Sequence, residues 1–298
     1  GTLGEIIIEK SGNLNLGVEG MMYMGAIMGF LAAHYFESAL LAIVFAFLAG
    51  VVGALIYAVL TVTLKANQNV TGLTLTVFGT GIANFIGETL KASAPVGTVF
   101  IPEHVLRSLV PQKMGALSDL PVVGKLLFEH SPLTYLALFF AIAMSLYLNR
   151  TRQGLNLRAI GENPGAADAM GVDVNRYKYL HILFGGGLCG IGGVYVSLVT
   201  CVGNWQPNII GGQGWIAVAL VIFASWSPLK AVLGSLVFGA LSMLRLYIPK
   251  DVIDIPGALF SMLPFVVTCI VLVVSSLRMR KENQQPAACG INYFREER

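Results

Sequence analysis

Apolar segments alternate with short polar segments along most of this chain. Six apolar segments are predicted to be helices, over residues 39–64, 72–90, 132–149, 179–202, 229–248 and 258–277. A helix of about 20 apolar residues crosses the hydrocarbon core of a bilayer. Two further apolar runs, 21–35 and 216–226, bring the expected number of crossings to about eight. The pattern therefore predicts an all-α, polytopic membrane bundle.

Composition supports the same class. The chain has 298 residues, of which 55% are hydrophobic and 12% charged, and its mean hydropathy is +0.73. Soluble domains carry roughly 25% charged residues. The net charge of +3 is too small to predict a nucleic acid partner. Because no CxxC or Cys/His ligand spacing occurs among the four cysteines, we expect no disulfide, metal site or cofactor.

Positive charge concentrates in two polar segments, 150–178 and 278–298. The positive-inside rule places both segments in the cytoplasm. Alternating crossings then place Lys10 and Lys65 inside and the loop 91–131 outside. The chain is thus predicted to be one multi-pass transmembrane domain, 1–298. It opens at Gly1 without an initiator Met, so we expect an upstream segment.

Two of the apolar runs follow Gly-rich breaks, Gly17-Val18-Glu19-Gly20 and Gly212-Gln213-Gly214-Trp215. The predicted topology sends the first run outward and the second inward. The second run is short for a full crossing. Together these features predict an inverted repeat of broken helices, an arrangement that commonly places a transport path at the repeat interface.

A few polar or aromatic side chains lie near these breaks or within the apolar spans. A carboxylate just inside a membrane segment is costly and is a functional candidate by default. The alternative is that such groups contact interfacial water or backbone amides freed by a break. The candidates for the transport path are Asn15, Glu19, Asn84, Asn204 and Trp205.

Glycines at or near four-residue spacing occur in the fourth of the long apolar segments. Gly186, Gly190 and Gly193 are predicted to let neighbouring backbones approach closely, which is a packing signal in lipid.

The polar segment 158–178 contains a predicted short helix. Asn163-Pro164 is typical of a helix start, several alanines follow, and Gly171 is typical of a helix end. A helix this short is marginal by itself in water. We therefore expect this helix to pack against its own protein or against a partner.

The chain has no motif for energy conversion or catalysis. It lacks GxxxxGK[ST], HExxH and GxSxG. The segment Gly165–Gly171 is similar to the EAA loop of ATP-binding-cassette (ABC) importer permeases, with Gly165 in place of the Glu. The segments 14–22, 161–172, 214–231 and 286–298 resemble the branch of that family that handles simple sugars, nucleosides and branched-chain amino acids, and resemble nucleoside and simple-sugar permeases most closely.

The resemblance implies a permease that is not itself an enzyme and that transports a small polar solute, a nucleoside or a simple sugar. It implies three protein partners: an ABC ATPase subunit with tandem domains, a second permease subunit and an extracytoplasmic solute-binding lipoprotein or protein. ATP hydrolysis would belong to the ATPase. The residues implied in ATPase coupling are Arg158, Glu162, Asn163, Gly165, Ala166, Ala167, Asp168 and Gly171.

Two other functions remain open from the residues alone. An ion- or proton-coupled secondary carrier needs ionisable groups in the membrane, for which Glu19 and Glu88 are the candidates. A structural membrane subunit would have no transport path of its own.

Overall fold

The structure, a computed structural model, describes residues 1–94, 99, 101–112, 129–247, 257–278 and 284–295. These residues form helices and no strand, so the predicted all-α bundle is confirmed. The helices are α1 Thr2–Lys10, α2 Val18–Phe36, α3 Ala39–Ala58, α4 Gln68–Ser93, α5 Glu103–Leu109, α6 Pro132–Arg150, α7 Arg152–Glu162, α8 Pro164–Ala169, α9 Val174–Val194, α10 Gln213–Phe223, α11 Pro228–Tyr247 and α12 Gly257–Arg278.

Four helical segments in the described part are long and apolar enough to cross a membrane: Ala39–Thr63, Gln68–Ser93, Pro132–Arg150 and Val174–Thr200. The first and last include π-helical turns that continue α3 and α9. The helix α2 has 19 residues, and α10, α11 and α12 contribute shorter apolar stretches. The chain therefore folds as a helical membrane bundle.

The centre of the bundle is the close packing of α2, α3 and α9. Gly25 of α2 lies against the backbone of Gly190 in α9, and Gly50 of α3 lies against Gly186 and Gly190. Gly193 lies against the backbone of Met22. Lipid tails are as apolar as leucine, so membrane helices associate through such close contacts. The packing role predicted for Gly186, Gly190 and Gly193 is confirmed.

Side-chain caps explain why two helices begin earlier than predicted. Asn67 accepts a hydrogen bond from Val70 N at 3.1 Å, so α4 begins at Gln68. Asp173 accepts one from Arg176 N at 3.0 Å, so α9 begins at Val174 inside the segment predicted as loop. Hydropathy locates the apolar part of a helix, and the polar first turn lies before it.

Breaks precede α2 and α10. Residues 11–17 and 201–212 are largely non-helical, and Gly12, Gly203 and Gly212 have φ values of +81°, +66° and +88°. The 11 residues of α10 span about 16 Å, roughly half of a hydrocarbon core. The short apolar helix predicted after this break is present, and the inverted repeat stays a prediction.

The loop predicted over residues 91–131 is described only in part. It contains α5, whose last residue, Leu109, accepts a 2.6 Å hydrogen bond from the Ser131 hydroxyl. That hydroxyl also caps α6. Residues 95–98, 100 and 113–128 lie outside the described part of the chain.

The glycine packing gives a first prediction. A side chain at position 190 would overlap the backbone of Ala46, so Gly190→Leu should destabilise the fold by about 1–3 kcal/mol or more. Thermal unfolding in detergent micelles measures the effect. The control is Gly81→Ala on α4, where an added Cβ meets nothing within 4 Å. Equal unfolding midpoints for both variants and the wild type would contradict the packing account.

Candidate functional site

The two Gly-rich breaks meet at the carboxylate of Glu19. This residue lies in the first turn of α2 and is 7% exposed. Its Oε1 accepts a hydrogen bond from Gly212 N at 2.8 Å, and its Oε2 accepts one from Trp215 N at 3.4 Å. The first amides of a helix are unpaired and carry partial positive charge. Glu19 therefore caps α10. Of the two roles considered from the sequence, this contact is the one with backbone amides freed by a break.

The contact at this junction is close because Gly214 has no side chain. An added Cβ at Gly214 would lie 2.5 Å from the Cα of Glu19. Tyr23, one turn further along α2, accepts a hydrogen bond from Gly211 N at 3.4 Å through its hydroxyl. The starts of α2 and α10 are therefore held together by side chains of α2. We call this place the junction, defined by Glu19, Tyr23 and residues 211–215.

Asn15 holds the other break. Its Oδ1 accepts a hydrogen bond from Gly17 N at 2.9 Å, directly before α2. Its Nδ2 donates to Glu5 Oε2 at 2.9 Å, and the side chain is completely buried. Asn15 thus joins α1 to the start of α2.

Further polar atoms are buried in α1 and in the first break. The carboxylate of Glu9 accepts a hydrogen bond from the indole of Trp226. Among the described residues, Glu5 Oε1 and both side-chain amide atoms of Asn13 have no hydrogen-bond partner. Burying unpaired polar atoms is costly. The interior beside α1 therefore has unused hydrogen-bonding capacity.

Side chains of α4 and α2 contact the second break, residues 201–212. Asn84 and Asn208 pair reciprocally, with Asn84 Nδ2 donating to Asn208 Oδ1 and Asn208 N donating to Asn84 Oδ1, both at 3.1 Å. Trp205 is 1% exposed and packs edge-on against Phe30 with 5.6 Å between ring centroids.

A Cβ at Gly87 would overlap the Trp205 indole, whose N–H has no hydrogen-bond partner in the described part of the chain. Asn204 is exposed. Glu19 and Asn84 therefore contact the second break, in which Trp205 lies. Asn15 lies in the first break. A role of these residues in transport stays a prediction.

The short helix predicted in the polar segment is present as α8. Asn163 Oδ1 accepts a hydrogen bond from Ala166 N at 3.0 Å, and Pro164 occupies the first helical position. Gly171 has φ +84°, which favours glycine after a helix end. The preceding helix α7 was not predicted. Thr151 caps it by accepting a hydrogen bond from Gly154 N at 3.0 Å.

The alanines of α8 face two ways. Ala167 is buried against Ile160 of α7 and Val174 of α9. Ala166 is exposed, and Met170 is 84% exposed. Ala167 therefore fixes α8 on the protein, while Ala166 and Met170 face outward.

The other residues implied in coupling lie around α8. Glu162 and Asn163 are exposed, and Arg158 Nε is buried with no hydrogen-bond partner among the described residues. A Cβ at Gly165 would make only ordinary contacts, with Asn163 Oδ1 at 3.5 Å and Tyr293 Cε2 at 4.0 Å. Packing thus leaves room for a side chain at Gly165.

Asp168 connects α8 to the C-terminal segment. Its Oδ2 accepts a hydrogen bond from the Tyr293 hydroxyl at 2.7 Å and lies 3.2 Å from Arg295 Nε. The same segment contains Asn292, whose Nδ2 donates to the backbone oxygens of Lys65 at 2.6 Å and Ala66 at 3.2 Å. Partial burial lowers the pKa of Lys65.

Sequence reasoning missed the C-terminal contacts. Asn292, Tyr293 and Arg295 were placed in a cytoplasmic tail whose residues 286–298 resemble the family, and no contact was predicted for them. The sequence did carry a signal for such contacts. Polar and aromatic residues that follow the last apolar span do not lie in the membrane, so contacts with the protein are a reason for their presence. Of the positive charges predicted for the tail, Arg280, Lys281 and Arg298 lie outside the described residues.

Comparison with known proteins identifies the family. The sequence model for the permease component of branched-chain amino acid transport systems matches residues 2–272. The chain belongs to this family. The permease is also similar to individual relatives. No solved structure matches it.

Two relatives align with nearly the whole permease. The nucleoside ABC transporter permease protein NupC of Lactococcus lactis subsp. cremoris is 34% identical over 99% of this chain and 92% of its own. The guanosine ABC transporter permease protein NupQ of Bacillus subtilis is 32% identical over the same shares. A putative glucose ABC transporter permease protein of Haloferax volcanii, TsgC13, is 38% identical over 82% of this chain and 72% of its own.

The function class follows from these matches. The chain is a multi-pass transmembrane permease subunit of an ABC transporter, and it is a transport component. The predicted permease is thus favoured over a secondary carrier and over a purely structural subunit.

The cap at the junction gives a second prediction. Glu19→Leu leaves the amides of Gly212 and Trp215 without their acceptor, which should cost about 1–3 kcal/mol of stability. Glu19→Gln keeps one acceptor oxygen and should cost less. Thermal unfolding and amide hydrogen exchange at residues 212–215 measure both effects.

Glu88→Gln is the matched control, because Glu88 is exposed on α4. Fast exchange at residues 212–215 in Glu19→Leu alone supports the cap. Unchanged exchange in that variant would show that α10 does not depend on Glu19.

Proposed function

We propose that this permease forms the path for a nucleoside across a bacterial plasma membrane, powered by a separate ATPase subunit. The observation that carries the proposal is the alignment over 99% of the chain with two permeases named for nucleosides and guanosine. A simple sugar is the second candidate solute, since the relative named for glucose shares 38% identity over 82% of the chain.

The interior supports a polar, hydrogen-bonding solute. The junction and the adjoining breaks place carboxylate, amide, phenol and indole groups inside an otherwise apolar bundle. Trp205 places a buried indole with an unpaired N–H among the described residues within the second break, and Asn84 supplies an amide. Nucleosides combine a flat aromatic base with hydroxyl groups, so both kinds of side chain suit them.

The orientation of the permease in the membrane follows from the positive charges that lie at one end of the bundle. We call this the polar end, defined by residues 64–67, 151–173 and 284–295. Lys65, Arg152, Arg158 and Arg295 lie in it, and the positive-inside rule assigns it to the cytoplasm. The loop 91–131 then faces the opposite side, where a solute-binding lipoprotein or protein delivers the solute. Residues 1–298 act as one permease domain that pairs with a second permease subunit.

The ATPase would dock on α8. This helix lies at the polar end. Ala166 and the residue directly after the helix, Met170, face outward, while Ala167 anchors it. Small exposed residues allow a partner to approach closely. Glu162 and Asn163, both exposed at the start of α8, supply polar contacts that fix the register of the partner.

Competition for uptake tests the solute. Membrane vesicles that hold the permease complex, its binding protein and ATP should take up labelled guanosine, and unlabelled uridine or adenosine should compete. Glucose should compete at least tenfold more weakly, because a site that hydrogen-bonds one solute rejects an analogue that lacks those groups. Glucose uptake without guanosine uptake would favour the sugar instead.

A substitution on the exposed face of α8 tests ATPase docking. Ala166→Arg should lower ATPase copurification and ATP-driven uptake by about tenfold or more, which corresponds to about 1.4 kcal/mol of binding free energy. The unfolding temperature should stay unchanged, because Ala166 is exposed.

Val110→Arg serves as the control. Val110 is 43% exposed and follows α5, in the loop assigned to the opposite side. Full ATPase copurification with Ala166→Arg would contradict docking at α8.

A further inference from the structure

The C-terminal segment contacts three parts of the polar end: the end of α7, the helix α8 and the distant turn between α3 and α4. Ala288 N donates a hydrogen bond to Gly161 O at 2.9 Å, at the end of α7. Asn292 holds the turn between α3 and α4 through the backbone oxygens of Lys65 and Ala66. Tyr293 reaches Asp168 on α8. We call residues 288–295 the strap.

At one end the strap holds α8. This helix has six residues and buries only one of them, Ala167, in a small cluster with Ile160 and Val174. The ring of Tyr293 packs against that cluster, and its hydroxyl bonds Asp168. So short a helix does not hold its position by its own hydrogen bonds. The strap therefore helps set where α8 lies.

At the other end the strap reaches the first break through Gln68. This side chain is 2% exposed. Its Nε2 donates to Asn292 Oδ1 at 3.2 Å and to Ile291 O at 3.4 Å, while its Oε1 accepts from Leu14 N at 2.7 Å. Leu14 O in turn accepts a 2.6 Å hydrogen bond from the Tyr57 hydroxyl. Both backbone polar groups of Leu14 are thus held by side chains.

The break that contains Leu14 leads directly to the junction. Asn15 is the next residue and caps the start of α2 through Gly17 N. Glu19 follows in the first turn of α2 and holds α10. An unbroken series of hydrogen bonds and short chain segments therefore links Asp168 on α8 to the junction. Coupling between distant sites travels through such contiguous contacts when they have two arrangements.

We propose that the strap is a coupling element, in which Asn292 and Tyr293 position α8 relative to the first break. A displacement of α8 by the ATPase then moves the break and the junction with it. The proposal rests on the proposed function, since it requires an ATPase that docks on α8. It goes further by giving a transport role to residues outside the implied coupling residues, Arg158 to Gly171.

The ratio of solute transported to ATP hydrolysed tests the strap. Tyr293→Phe removes only the hydroxyl that bonds Asp168, and Asn292→Ala removes the amide that bonds Gln68 and the Lys65 turn. Both variants should keep ATPase copurification and ATP hydrolysis. Solute transported per ATP should fall on the order of threefold to tenfold.

Gln284→Ala is the matched control, because Gln284 is exposed and precedes the strap. An unchanged ratio in both strap variants would overturn the proposal while leaving the proposed function intact. Loss of ATPase copurification in the variants would also overturn it, since the strap would then belong to the docking surface. Lack of ATP-driven uptake by the wild-type complex would instead overturn the proposed function.

A disulfide gives a second test that a purely stabilising role would not pass. A Cβ at Gly290 would lie 3.8 Å from Leu14 Cβ, a separation that suits a disulfide. Leu14→Cys and Gly290→Cys, in a Cys289→Ser background, would join the strap to the first break. Gly290 has φ +85°, so the reduced form of the same protein is the reference.

The disulfide should rescue Asn292→Ala. In that variant the oxidised protein should recover most of the wild-type ratio of solute to ATP, and reduction should abolish the recovery. An oxidised protein that is more resistant to heat but still uncoupled would overturn the proposal, because stability alone would then have been restored.

Discussion

Every backbone amide freed by a break in a membrane bundle has to find a partner inside the protein, because lipid offers none. In this permease the partners are side chains of neighbouring helices or of the break itself. The side chain of Glu19 accepts hydrogen bonds from the amides of Gly212 and Trp215 at the start of α10. In the same way Asn84 accepts one from the amide of Asn208, and Asn15 accepts one from the amide of Gly17. These contacts explain why polar groups lie deep in an apolar chain.

Close glycine contacts make those hydrogen bonds possible. Gly20 lies against the backbone of α4 at Leu75, and Gly79 of α4 lies against Gly20 in return. Gly214 allows the start of α10 to reach the backbone of Glu19. With side chains at these positions the helices would stand further apart, and the carboxylate of Glu19 would no longer reach the amides of α10. The polar contacts therefore depend on the close packing of the helices.

The polar end uses the same principle with different elements. A six-residue helix, a turn and the C-terminal segment are each too short to be stable alone, and each is held by side chains of another. Asp168, Asn292 and Gln68 link them to the first break. A short helix held in this way can shift without unfolding the bundle, which suits an element that a partner moves.

Much of the fold could be read from local patterns in the sequence. Hydropathy located the spans, the spacing of Gly186, Gly190 and Gly193 gave the central packing, and Asn163-Pro164 with Gly171 gave α8. The starts of α4 and α9 were missed although Asn67 and Asp173 are readable caps. The contact between Glu19 and Gly212 could not be predicted as a contact, since 193 residues separate them.

The tail was missed for a related reason. Its side chains have partners on α8 and on the turn before α4, and no local pattern names a partner so far away in sequence. Likewise, the burial of Ala167 and the exposure of Ala166 depend on α7 and α9. Composition alone treats the two alanines as equivalent.

We propose that this permease moves its solute with energy from a separate ATPase. The most direct measurement compares guanosine uptake by vesicles that hold the permease, the ATPase and the binding protein under two conditions. One has ATP without any ion gradient, and the other has a proton or sodium gradient without ATP. We expect uptake of guanosine against its concentration gradient only with ATP. Guanosine uptake driven by the ion gradient in the absence of ATP would contradict an ATP-powered mechanism.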